Sequence, residues 1–143
     1  MATMSLTVKT RAQEPVSAPG SACDITANPM KFPAYDPSVP YDTSAVGTIS
    51  VTCNSPLLLQ ISLITTDACT RRNLRFGLNR LVYNLYQDSG HSIVWGSLNP
   101  ICGRVLTDTV ILRSQFSVYG LLPREQNVVA GTYSDVVTIE ANF

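Results

Sequence analysis

The first thirteen residues alternate between two kinds of side chain. In MATMSLTVKTRAQ the even positions from Met4 onward are Met, Leu, Val, Thr and Ala, whereas the odd positions carry Thr, Ser, Lys, Arg and Gln. A period of two is typical of a β-strand with one face built for burial. The next stretch, EPVSAPGSA, has the composition of a linker. The chain is therefore predicted to begin with a strand that is held away from its own domain.

We predict three segments: an N-terminal arm (1–13), a linker (14–21) and one β-sandwich domain (22–143). Apolar alternation recurs in short runs separated by Pro and Gly, and no stretch shows sustained helical periodicity. TVILRSQFSVYG is predicted to form one long strand. The arginine-rich stretch TTDACTRRNLRFGLNR is predicted to be a solvated loop tied down by Cys69, in preference to a binding patch. The fold class expected is all-β, an antiparallel sandwich.

Composition excludes several partners. The chain has 10 basic and 10 acidic side chains, so it lacks the basic excess that nucleic acid or an anionic membrane surface would attract. No apolar run approaches the roughly 18 residues of a membrane span, so no membrane insertion is expected. No signal peptide is visible, and we expect one to have been removed from a secreted protein.

The four cysteines favour disulfides over a metal site. They are widely spaced, form no CxxC pair, and are accompanied by a single histidine, His91. Three connectivities are open, and we favour Cys23–Cys53 with Cys69–Cys102. Each bridge would close a loop of about 30 residues and contribute roughly 3–4 kcal/mol. Two disulfides imply an oxidising compartment.

The C-terminus is a strand without a neighbour. In TYSDVVTIEANF the apolar residues are Val137, Ile139, Ala141 and Phe143, and the residues between them are polar. Strands A to F of an immunoglobulin-type sandwich can be counted, but no residues remain for strand G. The open groove beside strands A and F would be a template for an added strand.

The arm has the pattern that such a groove requires. Strand G should run antiparallel to F, but the arm leads directly into strand A at the opposite wall, through a linker that reaches at most roughly 30 Å. Orientation and reach therefore conflict for insertion into the arm's own domain, although they do not exclude it outright. Insertion into the next molecule has no such conflict, and this open-ended contact would generate a fibre.

Catalytic, cofactor and metal residues are expected to be absent. A Cys69–His91 dyad is disfavoured because Cys69 is expected to be oxidised. Trp95 and Tyr86 form a conceivable sugar platform, but a lone Trp in a small sandwich is more often core. The Pro- and Tyr-rich loop PAYDPSVPYD is interpreted as stiffened structure in preference to a contact surface.

Four stretches together resemble the spore coat protein U domain, which is shared with subunits of archaic, Csu-type chaperone–usher pili. They are CDITANPMKFPAYDPSVPYDTSAVGTISVTC, LVYNLYQD, VWG and VYGLLPREQNVVAGTYSDVVTIEANF. The resemblance covers residues 22–143. It departs from the family at FPAY, at GLLP and in the pair Cys69 and Cys102.

The resemblance implies an incomplete immunoglobulin-like sandwich that lacks strand G and is completed by a donor strand from another subunit. A periplasmic chaperone lends a strand first, and at the outer-membrane usher the arm of the next subunit replaces it. Carried onto this chain, the donor residues are Met4, Leu6, Val8 and Thr10, with Ala12 also considered. The acceptor groove comprises Ile25, Val137, Ile139, Ala141 and Phe143. Cys23–Cys53 corresponds to the family's bridge between strands A and B.

Three functions stay open from the sequence. The first is a subunit of an extracellular pilus, polymerised with identical or homologous subunits and serving adhesion and biofilm formation. The second is a spore or cell-surface coat protein. The third is a monomeric carbohydrate-binding sandwich, which would have no use for a separate amphipathic strand.

Overall fold

The protein folds as an all-β sandwich in a computed structural model that describes the backbone of residues 2–13 and, in full, residues 23–98 and 101–143. The predicted linker (14–21) lies outside the described residues. The strands of the described residues are, in chain order, β1 (Ala2–Gln13), β2 (Cys23–Ala27), β3 (Met30–Tyr35), β4 (Thr43–Cys53), β5 (Leu57–Ile64), β6 (Arg72–Phe76), β7 (Asn79–Tyr86), β8 (Ser97–Leu98), β9 (Ile101–Cys102), β10 (Leu106–Val110), β11 (Arg113–Leu122) and β12 (Gly131–Asn142). Across this described part, no helix is long and apolar enough to cross a membrane.

The strand pairings form two layers. One layer has the order β10–β5–β12–β1–β3, and the other has the order β2–β4–β11–β7. The β6–β7 hairpin joins them, because β6 also meets β12 at Ser134 and β7 meets β11. This matches the all-β sandwich that the sequence predicts.

The core lies between the layers and is built from alternate positions of the long strands. On β12 the buried positions are Tyr133, Asp135, Val137, Ile139 and Ala141. Trp95 is fully buried and its indole Nε1 donates to the Ile61 carbonyl at 2.9 Å, so the core interpretation of this tryptophan is confirmed.

The N-terminal strand occupies the edge beside β12, but in the same chain and in an unexpected direction. β1 runs parallel to β12 from Ala2 beside Gly131 to Gln13 beside Asn142. From the sequence we expected an antiparallel strand from another subunit. The parallel direction removes the conflict of reach, because β1 then ends at the same end of the sandwich as Cys53, with which Cys23 is paired.

The arginine-rich stretch is not the solvated loop that was predicted. It contains β6, in which Arg72, Asn73 and Leu74 are buried. The prediction was wrong because the interior supplies hydrogen-bond acceptors for the Arg72 guanidinium. The hairpin turns at Gly77, whose φ of +59° is accessible to glycine at little steric cost.

The predicted strand TVILRSQFSVYG is two strands. β10 ends at Val110 and pairs with β5, whereas β11 begins at Arg113 and pairs with β4 in the other layer. Ile111 and Leu112 form the exposed connection between them. Because the residues of this exposed turn are apolar, hydrophobic alternation alone does not reveal that the strand ends there.

Candidate functional site: a groove filled by the N-terminal strand

The candidate site is the groove between β12 and β3, in which β1 lies. β12 borders it along its whole length, and twelve residues of β1 are in register with twelve residues of β12. β3 closes the opposite side and runs antiparallel to β1, with Leu6 beside Met30 and Met4 beside Phe32. The groove therefore has hydrogen-bonding strands on both sides.

The predicted donor residues take register positions beside the buried positions of β12. Met4 lies level with Tyr133, and the further pairs are Leu6 with Asp135, Val8 with Val137, Thr10 with Ile139 and Ala12 with Ala141. Neighbouring residues in a parallel ladder share a face of the sheet. The even positions of the arm are thus aligned with the core-facing positions of β12.

The predicted groove residues do not all occupy the same wall. Val137, Ile139 and Ala141 are buried on β12, and Phe143 is partly buried against the same core. Ile25 is partly buried too, but it lies on β2 and pairs with Val51 of β4 in the other layer. Ile25 therefore belongs to the opposite side of the sandwich.

β3 forms the second wall of the groove and was not predicted from the sequence. Met30 and Phe32 are buried, with Lys31 exposed between them, so alternation in MKF was a usable signal. The proline that follows obscured it. The β1–β3 register is irregular between Ala2 and Met4, opposite Pro33, which has no N–H to give to a ladder.

A buried polar network lies behind the groove. The Tyr83 hydroxyl donates to Asp135 Oδ2 at 2.6 Å, and the Val136 N–H donates to Asp135 Oδ1 at 2.8 Å. Burial raises the pKa of the Asp135 carboxyl, and it also raises the pKa of Tyr83. Asp135 is the one charged residue among the buried positions of β12, all of which is described.

Arg72 is fully buried close to this pair. Its guanidinium donates at 2.8 Å to Asn84 Oδ1, to the Leu63 carbonyl and to the Trp95 carbonyl. Burial lowers the pKa of Arg72. These bonds tie β6 to β5, β7 and the Trp95 segment, which gives the arginine a structural role.

Both of the disulfides favoured from the sequence are present. Cys23–Cys53 joins paired positions of β2 and β4, and Cys69–Cys102 anchors the segment before β6 to β9. Cys69 has no thiol in this state, so it does not form a dyad with His91. Within the ranges described, no three His, Cys, Asp or Glu side chains come close enough together to hold a metal ion.

Comparisons with known proteins converge on one family. The sequence profile of the spore coat protein U domain matches residues 6–140. Protein U of Myxococcus xanthus is 32% identical over 150 residues, covering 87% of this chain and 79% of that protein.

A solved structure has a similar fold. It is the CsuC–CsuE chaperone–tip adhesion subunit pre-assembly complex from the archaic chaperone–usher Csu pili of Acinetobacter baumannii. The match has a TM-score of 0.60 and 20% identity, covers 86% of this chain, and spans 40% of the matched chain. At this identity the likeness concerns the fold.

Proposed function

Because the chain belongs to the family of spore coat protein U domains, we propose that it is a structural subunit of an extracellular fibre assembled by strand donation. The observation that supports this most strongly is the pairing of β1 along the whole of β12, from Gly131 to Asn142. A strand supplied from outside the domain completes an edge that would otherwise leave N–H and C=O groups unpaired. The same edge accepts an equivalent strand from another copy.

The direction of the inserted strand distinguishes an arm bound in its own domain from an arm donated to another subunit. A parallel strand leaves the groove near Cys53, where its own domain begins. An antiparallel strand would leave at the Gly131 end, and its return would have to span a strand of about 40 Å with a linker that reaches roughly 30 Å. The parallel form is thus intramolecular, and the antiparallel form is intermolecular.

In the assembled form each subunit gives Met4, Leu6, Val8 and Thr10 to its neighbour and receives the neighbour's strand against Val137, Ile139 and Ala141. This contact is heterologous, so it extends without closing. The segments proposed are the arm (1–13), the linker (14–21) and the domain (22–143).

The proposed partners are identical or homologous subunits, with a periplasmic chaperone and an outer-membrane usher during assembly. The fold shared with a Csu pilus complex supports this choice. Two disulfides are consistent with passage through an oxidising periplasm to the cell surface. The proposed role there is structural, in surface adhesion and biofilm formation, and not enzymatic.

A coat protein of a spore or cell surface is the second candidate. The similarity to Protein U and the family's description as a spore coat domain favour it. Strand exchange would serve a coat equally well. Chaperone and usher genes beside the gene for this chain would favour the pilus, and their absence would favour the coat.

Gel migration tests strand donation. The intact chain, run unboiled in SDS, should give a ladder that collapses on boiling, and deletion of residues 2–12 should abolish it. Val8→Asp, at a position level with a buried residue, should also abolish the ladder. Thr7→Asp is the matched control on the other face and should keep it.

A monomer from the intact chain before boiling would contradict the proposal. If the deletion then also failed to fold, the arm would complete its own domain only, and the protein would be a self-contained module.

A further inference from the structure

The groove contains one acid among apolar residues, and this acid has capacity for another hydrogen bond. Asp135 is 9% exposed, and within the described part of the chain its Oδ2 accepts one bond from Tyr83 and its Oδ1 accepts one from the Val136 N–H. A carboxylate has about four acceptor positions. A hydroxyl brought beside Asp135 would therefore find an acceptor.

The arm carries one hydroxyl on its otherwise apolar even positions, at Thr10. In the parallel arrangement within one chain, Thr10 lies level with Ile139 and Leu6 lies level with Asp135. Both pairs set a polar residue beside an apolar one. Buried polar groups are normally hydrogen-bonded, so this register leaves a favourable pairing unused.

Reversing the strand allows few registers. Even positions of the arm must stay level with odd positions of β12 if the same faces are to meet, since a slip of one residue turns every side chain over. The central choices place Val8, Thr10 or Ala12 opposite Asp135. Of these three, Thr10 is the residue that can donate a hydrogen bond.

We propose that the exchanged strand binds antiparallel to β12 with Thr10 opposite Asp135, and that this pair sets the register between subunits. The inference rests on the proposed function. The register that it defines pairs Met4 with Ala141, Leu6 with Ile139, Val8 with Val137 and Ala12 with Tyr133. Methionine thus meets alanine at one end and alanine meets tyrosine at the other, so large residues lie beside small ones.

The exchanged register gives up one feature of the parallel form. There, Arg11 lies level with Glu140 on the outer face. Glu140 is partly exposed, and solvent weakens an ion pair at such a position, whereas a hydrogen bond to a buried carboxylate is strong. The balance therefore favours the Thr10–Asp135 pairing.

Disulfide trapping of assembled subunits tests the register. Thr7 and Thr138 are opposite each other only in the proposed register, so Thr7→Cys combined with Thr138→Cys should give a covalent ladder after oxidation and boiling. Two control pairs place the second cysteine one step away, at Val136 or at Glu140. Neither should give more than a small fraction of the covalent ladder.

The other outcomes of the trapping experiment would contradict the proposed register, and they distinguish a different register from the absence of exchange. A ladder from the Val136 or Glu140 pair would mean that strands exchange in a different register. A cross-link within monomers from the Thr7 and Val136 pair, with no polymer from any variant, would show only the parallel form of the structure. The proposed function would then fail together with the register.

A charge test adds a second readout. Thr10→Asp should reduce ladder formation at neutral pH, because two carboxyl groups would meet in the groove, and Asp135→Asn in the same chain should restore it. Thr7→Asp is the control and should not respond to Asp135→Asn. Loss of assembly that Asp135→Asn does not relieve would contradict the pairing.

Discussion

The Tyr83 hydroxyl lies 2.6 Å from Asp135 Oδ2 and joins β7 to the strand that borders the groove. This bond places a buried polar contact directly behind the candidate site. It fixes the position of Asp135, the one acid among the buried positions of β12. Stability and groove chemistry are therefore linked through the same pair.

Removing the tyrosine hydroxyl should destabilise the fold. Tyr83→Phe leaves the buried Oδ2 of Asp135 without its donor, although the Val136 N–H still donates to Oδ1, and this costs about 1–3 kcal/mol. Urea unfolding of the purified chain would measure the loss. Tyr41→Phe is the control, since Tyr41 is 63% exposed. Equal midpoints for the two variants would contradict a stabilising role for the bond.

Asp135 should make stability fall as the pH rises above its ordinary pKa of 3.8. Burial raises the pKa in the folded chain, so the folded state holds the proton more tightly than the unfolded state does. The free energy of unfolding then decreases with pH between 3.8 and the raised value. Asp135→Asn should remove this part of the slope in denaturant unfolding across that range.

Asp24→Asn, at an exposed position of β2, should keep the wild-type slope. Asp67 has the opposite effect on the free energy of unfolding, at lower pH. The hydrogen bond from Arg75 lowers the pKa of Asp67 in the folded chain. The stability that Asp67 contributes is therefore lost as the pH falls from 3.8 through that lowered pKa. A stability profile of Asp135→Asn identical to wild type would contradict the assignment.

Shortening the buried arginine should cost more than removing a surface charge. Arg72→Lys keeps a positive charge but cannot reach Asn84 and the carbonyls of Leu63 and Trp95 with one planar group. We expect a loss of roughly 2–5 kcal/mol, because a hydrogen bond from a charged donor is worth about 1.5–3 kcal/mol and the lysine loses at least one of the three. Thermal unfolding would show it.

The neighbouring Arg71→Lys is the matched control, because Arg71 is exposed. Its melting temperature should stay within about 1–2 °C of wild type, as expected for a surface change. A similar small change in Arg72→Lys would mean that the buried bonds contribute little.

Gly96 should not tolerate a side chain. A Cβ at this position would overlap the backbone carbonyl of Cys102, which the Cys69–Cys102 disulfide holds in place. Gly96→Ala is expected to lower stability by several kcal/mol or to prevent folding, because overpacking against backbone cannot be relieved by a side-chain rotation. Yield and circular dichroism would measure this.

Gly90→Ala is the control for this change. Its Cβ would meet only the carboxylate of Asp88, at 3.3 Å, in an exposed turn. It should fold with near-normal yield. Comparable losses in the two variants would contradict the packing explanation.

Local alternation made the site partly predictable. Val137, Ile139 and Ala141 were identified because apolar residues at every second position announce a buried face, and the same rule identified the even positions of the arm. β3 was not predicted because Pro33 interrupts its alternation of buried and exposed residues. The burial of Arg72 was not predicted because a charged side chain is normally exposed. Its burial is tolerated because the fold places two backbone carbonyls and the Asn84 amide around the guanidinium.

From its sequence this chain could be predicted to be all-β, to favour the pairs Cys23–Cys53 and Cys69–Cys102, and to begin with a strand that suits an open edge beside its last strand. These properties follow from side-chain periodicity and spacing, which are local. The folded structure was needed to show that β1 lies beside β12 in parallel, that β6 is a buried strand, and that Tyr83 meets Asp135 within the core. The direction of a strand and the strand it pairs with depend on contacts between residues that are far apart in the chain. The local pattern of side chains does not encode those contacts.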